Sequence, residues 1–398
     1  MRWMAWLIVW MSLPGLAQCA EVHTNPMNYD PQVRDAFAHF YNLDFAYAIP
    51  HFERIRTQHP GDPQATANLL EAVLFQELYR QDLLDTTFYA NDGFLTGRHA
   101  TRNDPEARKQ IFSLANEAVA EANERLSRNP KDINALYARA WVRAQQTAYM
   151  AMVDRDFRGG FRLATKARED ADSVLQLDPN YIDAKLVSGV YQYVVGALPW
   201  PFKFLIGFAG ITGSKTTGMA MLNDAAERGV STSVEARTVM ALFLRRESKY
   251  REAIEVVSRL QREYPRDFLF YLEEGNLRKD AGEGMAAAEV YRDLLKRAAH
   301  NGYFSEPRLE LAHFGLGDAL RGQRHYAEAA EAYEKAAEAP EVGPELKIRS
   351  LLAAGECRDV LNQRDAAVKD YQGAIDAGPN TSRADIARKH LKAPYKEK

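Results

Sequence analysis

One fixed offset, repeated four times, constrains this chain more than anything else in it. In "YREAIEVVSRLQREYP" Ala253, Val257, Leu260 and Pro265 follow one another at steps of four, three and five. Ala287, Tyr291 and Leu294 repeat the first two steps, as do Ala329, Tyr333 and Ala336. Ala367, Tyr371, Ala374 and Pro379 repeat all three. Twelve residues before each leading alanine stands another small residue: Ala241, Gly275, Gly317 and Gly355. Self-similarity of this kind belongs to arrays in which each unit buries its apolar face only against its neighbours.

The offset makes physical sense as a helical hairpin. Small residues on the first helix and at the head of the second let the two approach closely. The aromatic fills the space beside them, and the proline, which lacks an N–H, stops the second helix. The pattern resembles the tetratricopeptide repeat, a unit of about 34 residues. Here the leading alanines are spaced 34, 42 and 38 apart, so two turns are longer, one of them "AAHNGYFSEP".

Looser copies run through the N-terminal half: Ala48, Phe52, Ile55 and Pro60; Ala118, Ala122 and Pro130; Ala167, Ala171, Val174 and Pro179. No alternating apolar run long enough for a sheet interrupts them. The resemblance implies an all-α, right-handed superhelical solenoid of about eight hairpins. Divergent hairpins are expected over 29–232, with insertions at 84–104 and 197–217, and four regular ones over 233–381. A capping helix and tail are expected over 382–398.

The balance of 51 basic against 54 acidic residues gives a net charge of −3, without a long like-charge block. That argues against nucleic acid as a partner, because such binding needs many unopposed cations. The N-terminus reads as an export signal over 1–20: Arg2, then the apolar run Met4 to Leu13, then Pro14, Gly15 and the small residues of "LAQCA". The run is too short for a bilayer span, which takes roughly 20 residues. Leu16-Ala17-Gln18-Cys19 also resembles a bacterial lipobox, with a signal ending at 18 and Cys19 lipidated, although Gln18 departs from the small residue preferred there. Both cleavage readings stay open. The expected location is periplasmic or outer-membrane associated, and Cys19 and Cys357 offer no disulfide once Cys19 is removed or lipidated.

"FLIGFAGITGSKTTG" invites comparison with a phosphate-binding loop. Aligned on Lys215 and Thr216, the pattern has Ser214 where the second glycine belongs, and a side chain there blocks the approach to phosphate. Its flanks read as helices, not as a strand. A nucleotide-dependent enzyme using Lys215 is the weakest of three functional readings. The stretch "GALPWPFKFLIGFAGITGSKTTGMAML" also resembles a segment of a eukaryotic tetratricopeptide family that includes a mitochondrial outer-membrane protein of inclusion-body clearance. Trp200, Phe202, Phe204 and Phe208 either pack back onto the array or stay exposed to a membrane or partner, which makes membrane association over 199–208 the second reading.

Chemistry-bearing motifs are missing from the sequence: HExxH, CxxC and GxSxG do not occur, and the nine histidines are scattered. Acidic runs have the spacing of wet helix faces. Cys357 fits a buried position on a first helix better than a nucleophile's. The first reading is therefore a non-catalytic adapter, with no cofactor, metal or small-molecule substrate, that holds a protein segment in its groove. Helical spacing from the small residues predicts an inner face of Thr238, Leu242, Arg245, Leu269, Leu272, Asn276, Lys279, Phe314, Asp318, Arg321, Arg349, Leu352 and Glu356. A clamp for a peptide's terminal carboxylate is not supported: Asn276 suits it, but Leu269, Leu272 and Leu311 stand where cations are wanted.

Overall fold

The computed structural model describes residues 21–90, 104–198, 212–340 and 342–397. Among them are seventeen α-helices and no strand. They pair as eight hairpins: α1 (Pro31–Phe40) with α2 (Phe45–Gln58), α3 (Pro63–Arg80) with α4 (Pro105–Arg128), α5 (Ile133–Met152) with α6 (Phe157–Leu177), and α7 (Ala184–Ala197) with α8 (Lys215–Arg228). The regular half continues with α9 (Ser233–Arg246) and α10 (Tyr250–Glu263), α11 (Phe268–Asp280) and α12 (Gly284–Ala298), α13 (Leu309–Gly322) and α14 (Tyr326–Glu338), then α15 (Pro344–Val360) and α16 (Arg364–Ala377). A last helix, α17 (Ser382–Lys392), closes the row.

Local chemistry sets the starts. Asp30, Asp62 and Asp104 each cap a helix whose first residue is proline, and their carboxylates accept the N–H of Gln32, Gln64 and Glu106 at 2.7, 2.9 and 3.1 Å. Proline loses nothing at that position, and each cap contributes about 1 kcal/mol. The turns inside hairpins share one device. Leu43, Ser248, Gly282, Arg324 and Asn362 all have φ between 59° and 82°, and each stands five residues before a leading alanine.

The repeated positions form the core. Ala253, Ala287, Ala329 and Ala367 are fully buried, as are Tyr291, Tyr333 and Tyr371. Each tyrosine ring lies on the glycine of its own first helix: a Cβ at Gly275, Gly317 or Gly355 would fall 2.6, 2.7 or 2.6 Å from it. Tyr291 also covers Gly315 of the following hairpin. The three hydroxyls donate to Asn276, Asp318 and Asp359 at 2.7, 2.7 and 2.8 Å. Every second helix packs on the next first helix, and first helices also touch one another, as α11 touches α13 and α13 touches α15. The first helices thus form the inner layer of the array.

Glycines around the 197–217 insertion have a packing role. Gly189 and Gly196 on α7 meet Gly218 and the backbone at Ser214–Lys215, so close that a Cβ at Gly196 would lie 2.6 Å from the Lys215 nitrogen. The glycines let α7 and α8 pack backbone to backbone.

The inner face of the array

The structure sorts the thirteen inner-face candidates into two groups. Arg245, Leu272, Asn276, Phe314 and Leu352 are buried. Leu242, Leu269, Lys279, Asp318, Arg321, Arg349 and Glu356 are partly exposed, and Thr238 is exposed.

The burial of Arg245 and Asn276 has a cause that periodicity does not carry. Residues 82–89, leaving the end of α3, cross the inner face of the regular hairpins. Asp82 pairs with Arg308 at 2.6 Å, just before α13. Asp85 accepts the side-chain amide of Asn276 at 3.2 Å, and Thr86 donates to Glu273. Arg245, whose side chain is 1% exposed, donates to the Thr86 hydroxyl and pairs with Asp280 at 2.7 Å and Glu273 at 3.4 Å. Arg246 reaches the Tyr89 carbonyl at 2.6 Å. The part of the groove expected around Arg245 and Asn276 is filled by the chain's own segment. Asn276 is further occupied by Tyr291.

Three more contacts tie the halves together. Tyr41 donates to Glu235 at 2.5 Å and packs on Tyr264. The Arg266 amide donates to Asn42 at 3.0 Å. Helix α3, facing this closure, is buried along nearly its whole length.

The second group remains accessible over α9, α11, α13 and α15, with its charged members on the last three. Lys279 pairs with Asp318 at 3.0 Å and Arg321 with Glu356 at 2.7 Å. The Arg349 guanidinium lies 4.3 Å from the centre of the Phe314 ring. Burial alone would raise the Asp318 carboxyl, but Lys279, Arg349 and the Tyr333 hydroxyl outweigh it and hold the group below its ordinary range. These charges alternate along one row on a rigid support. Such a row can orient a polar, extended chain, but it presents no group set for acid–base or nucleophilic work.

The remaining candidates separate cleanly. Lys215 opens α8, with Ser214 as its cap accepting the Thr217 N–H at 3.2 Å. Its ammonium bonds Glu247 at 2.6 Å. Cys357 is 1% exposed, and burial pushes its thiol up to about 12. His39 and His51 both stack on Tyr47, at 3.6 and 3.8 Å. Among the described residues there is no cluster with metal-binding geometry, and no helix is long and apolar enough to cross a membrane. Cys19, Trp200, Phe202, Phe204 and Phe208 lie outside the described residues.

No protein-family model matches the sequence, and no curated protein matches it. Solved structures do. The Cut9–Hcn1 hetero-tetramer of APC/C matches over 90% of this chain and 55% of that one, with a TM-score of 0.50 and 13% identity. The chain therefore spans about half the length of that structure's chain. A tetratricopeptide repeat protein from Parabacteroides merdae matches over 82% of this chain and 99% of its own, with a TM-score of 0.36 and 17% identity. For pilF of Pseudomonas aeruginosa the shares are 63% and 97%, the TM-score 0.40 and the identity 16%. The fold is an all-α solenoid of tetratricopeptide-type hairpins.

Proposed function

We propose that this chain is a non-catalytic scaffold of the bacterial cell envelope, which holds a protein segment along the accessible inner row from Lys279 to Glu356. The observation that carries the reading is that row: alternating charges, partly exposed, fixed by internal pairs on three stacked first helices. Paired charges on a rigid surface keep their geometry without a partner, so less ordering is required when one binds. The apolar run at 4–13 supports export.

The test is a charge swap. Tagged full-length protein is crosslinked in its native cells, and the recovered proteins are identified by mass spectrometry. Arg321→Glu combined with Glu356→Arg restores the internal pair but inverts the charges shown to a partner, and it leaves Asp318 in place for the Tyr333 hydroxyl. The expected result is a normal melting temperature and loss of the protein captured by the wild type. Undiminished capture by the swapped variant would remove this row as the contact.

A further inference from the structure

Beyond α17 the chain doubles back onto the array. Ala393 is extended, with φ −145° and ψ 129°, and Pro394 holds the residue before it in that form. The Tyr395 N–H donates to Asp359 at 2.7 Å. Arg321 lies 5.4 Å from the centre of the Tyr395 ring and donates to its hydroxyl at 3.3 Å. The ring meets His390 edge-on at 5.4 Å, and Glu397 accepts from the Tyr326 hydroxyl.

What receives this segment is built without it. The Asp359 side chain is 1% exposed and is already held by Tyr371 at 2.8 Å and Arg364 at 3.0 Å. Arg321 is set by Glu356, which His390 also approaches at 3.4 Å. The occupant, by contrast, is lightly held: Ala393, Pro394, Lys396 and Glu397 are exposed, and only Tyr395 is partly buried. A rigid, polar seat beneath a lightly held extended strand is the arrangement of an exchangeable ligand. Arg321 and Glu356 also close one end of the charged row.

We propose that residues 393–397 are a stand-in for the partner: the seat at the ends of α13 and α15 takes an extended protein segment with an aromatic side chain, and the chain's own Tyr395 competes with it. This rests on the scaffold reading and names the chemistry of its guest. The guest supplies a backbone N–H to Asp359, a ring to Arg321 and an acidic group two residues later to Tyr326. Because the segment follows α17 directly, its effective concentration at the seat is roughly millimolar or higher. Even a weak contact then keeps the seat mostly filled, and releasing it raises the affinity of an outside segment about tenfold.

The experiment uses a fluorescent peptide of sequence LKAPYKE, residues 391–397, titrated by anisotropy into the full-length chain and its Tyr395→Ala variant. Saturable binding to the variant is expected, about tenfold weaker binding to the wild type, and none by a peptide carrying Tyr395→Ala. Adding Arg321→Ala to the variant should weaken it again. No binding by a well-folded variant up to about 1 mM peptide, or equal binding to variant and wild type, overturns the competition. In either case unchanged partner crosslinking would leave the scaffold reading standing. Peptide exchange with no partner crosslinked would leave the seat established and count against the scaffold reading alone.

Discussion

Replacing Glu235 by glutamine should stabilise the protein at neutral pH. Glu235 on α9 and Glu71 on α3 are buried to 9% and 2% exposure, where the two halves of the array meet. Glu71 Oε2 accepts from Trp141 at 3.0 Å and Gln145 at 3.4 Å, and Glu235 Oε1 accepts from Tyr41 at 2.5 Å. Their other oxygens, Glu71 Oε1 and Glu235 Oε2, are buried without a donor, and the charge of Glu235 works against that of Glu71. A proton held between the two relieves both. Burial raises both groups, and Asp183 nearby raises Glu235 further.

The sign follows from linkage. An unfolded glutamate titrates near 4.3, so above that pH the native state binds more protons than the unfolded one, and stability falls as pH rises until the pair ionises. Each held proton is worth about 1.4 kcal/mol per pH unit, or about 2.7 kcal/mol between pH 5 and 7. In the Glu235→Gln variant the amide keeps an acceptor for Tyr41 and offers Glu71 a permanent donor in place of the shared proton. Urea unfolding at pH 5, 6, 7 and 8 should show the variant gaining on the wild type by about 1.4 kcal/mol per unit up to the ionisation of the pair near pH 7, and levelling off above it. Parallel pH profiles would show that no proton is held between the two carboxyls, and the reasoning would fail.

The repeat geometry makes two further predictions. Gly317→Ala places a Cβ 2.7 Å from the Tyr333 ring, which is fully buried and tethered to Asp318; overpacking of about 1–3 kcal/mol outweighs about 1 kcal/mol of helix propensity, and the loss should vanish in a Tyr333→Leu background when both are compared by urea melts. Arg324 has φ 63° where the equivalent Gly282 has 82°. Arg324→Gly should therefore be neutral or gain up to about 1 kcal/mol while Gly282→Ala loses about 1 kcal/mol, and the opposite order in thermal melts would count against a shared turn.

The hairpins were legible because their signal is local: Gly317 and Tyr333 touch within one unit, so the offset between them is a distance within one hairpin. The turn conformation was hardly legible, since only Gly282 and Asn362 of its five occupants suggest a positive φ by residue type. The inner face was half legible. Helical spacing marks which side chains point inward, but whether they meet solvent depends on residues 82–89, about 160 to 190 positions earlier than Arg245 and Asn276. Nothing periodic marks that segment. Its one signal is chemical: polar Asp82, Asp85, Thr86 and Thr87 stand around apolar Leu83 and Leu84, at the head of the insertion expected over 84–104.

This closure decides where a binding variant can be interpreted. Arg245 stands opposite Glu273, Asp280 and Thr86 with its side chain almost wholly buried. Removing it leaves Glu273 buried without its cation, and such losses cost about 3–5 kcal/mol, enough to loosen the segment across α9 and α11. Reduced partner capture by Arg245→Ala would then report unfolding of the closure as readily as loss of a contact. Lys279 and Arg321 are different: their partners Asp318 and Glu356 keep some access to water, with side chains 28% and 14% exposed. Asp318 also retains the Tyr333 hydroxyl. A charge change there alters what the groove presents while the hairpins stay packed, so capture and stability can move independently, and only at such positions does a loss of capture count as evidence about the partner.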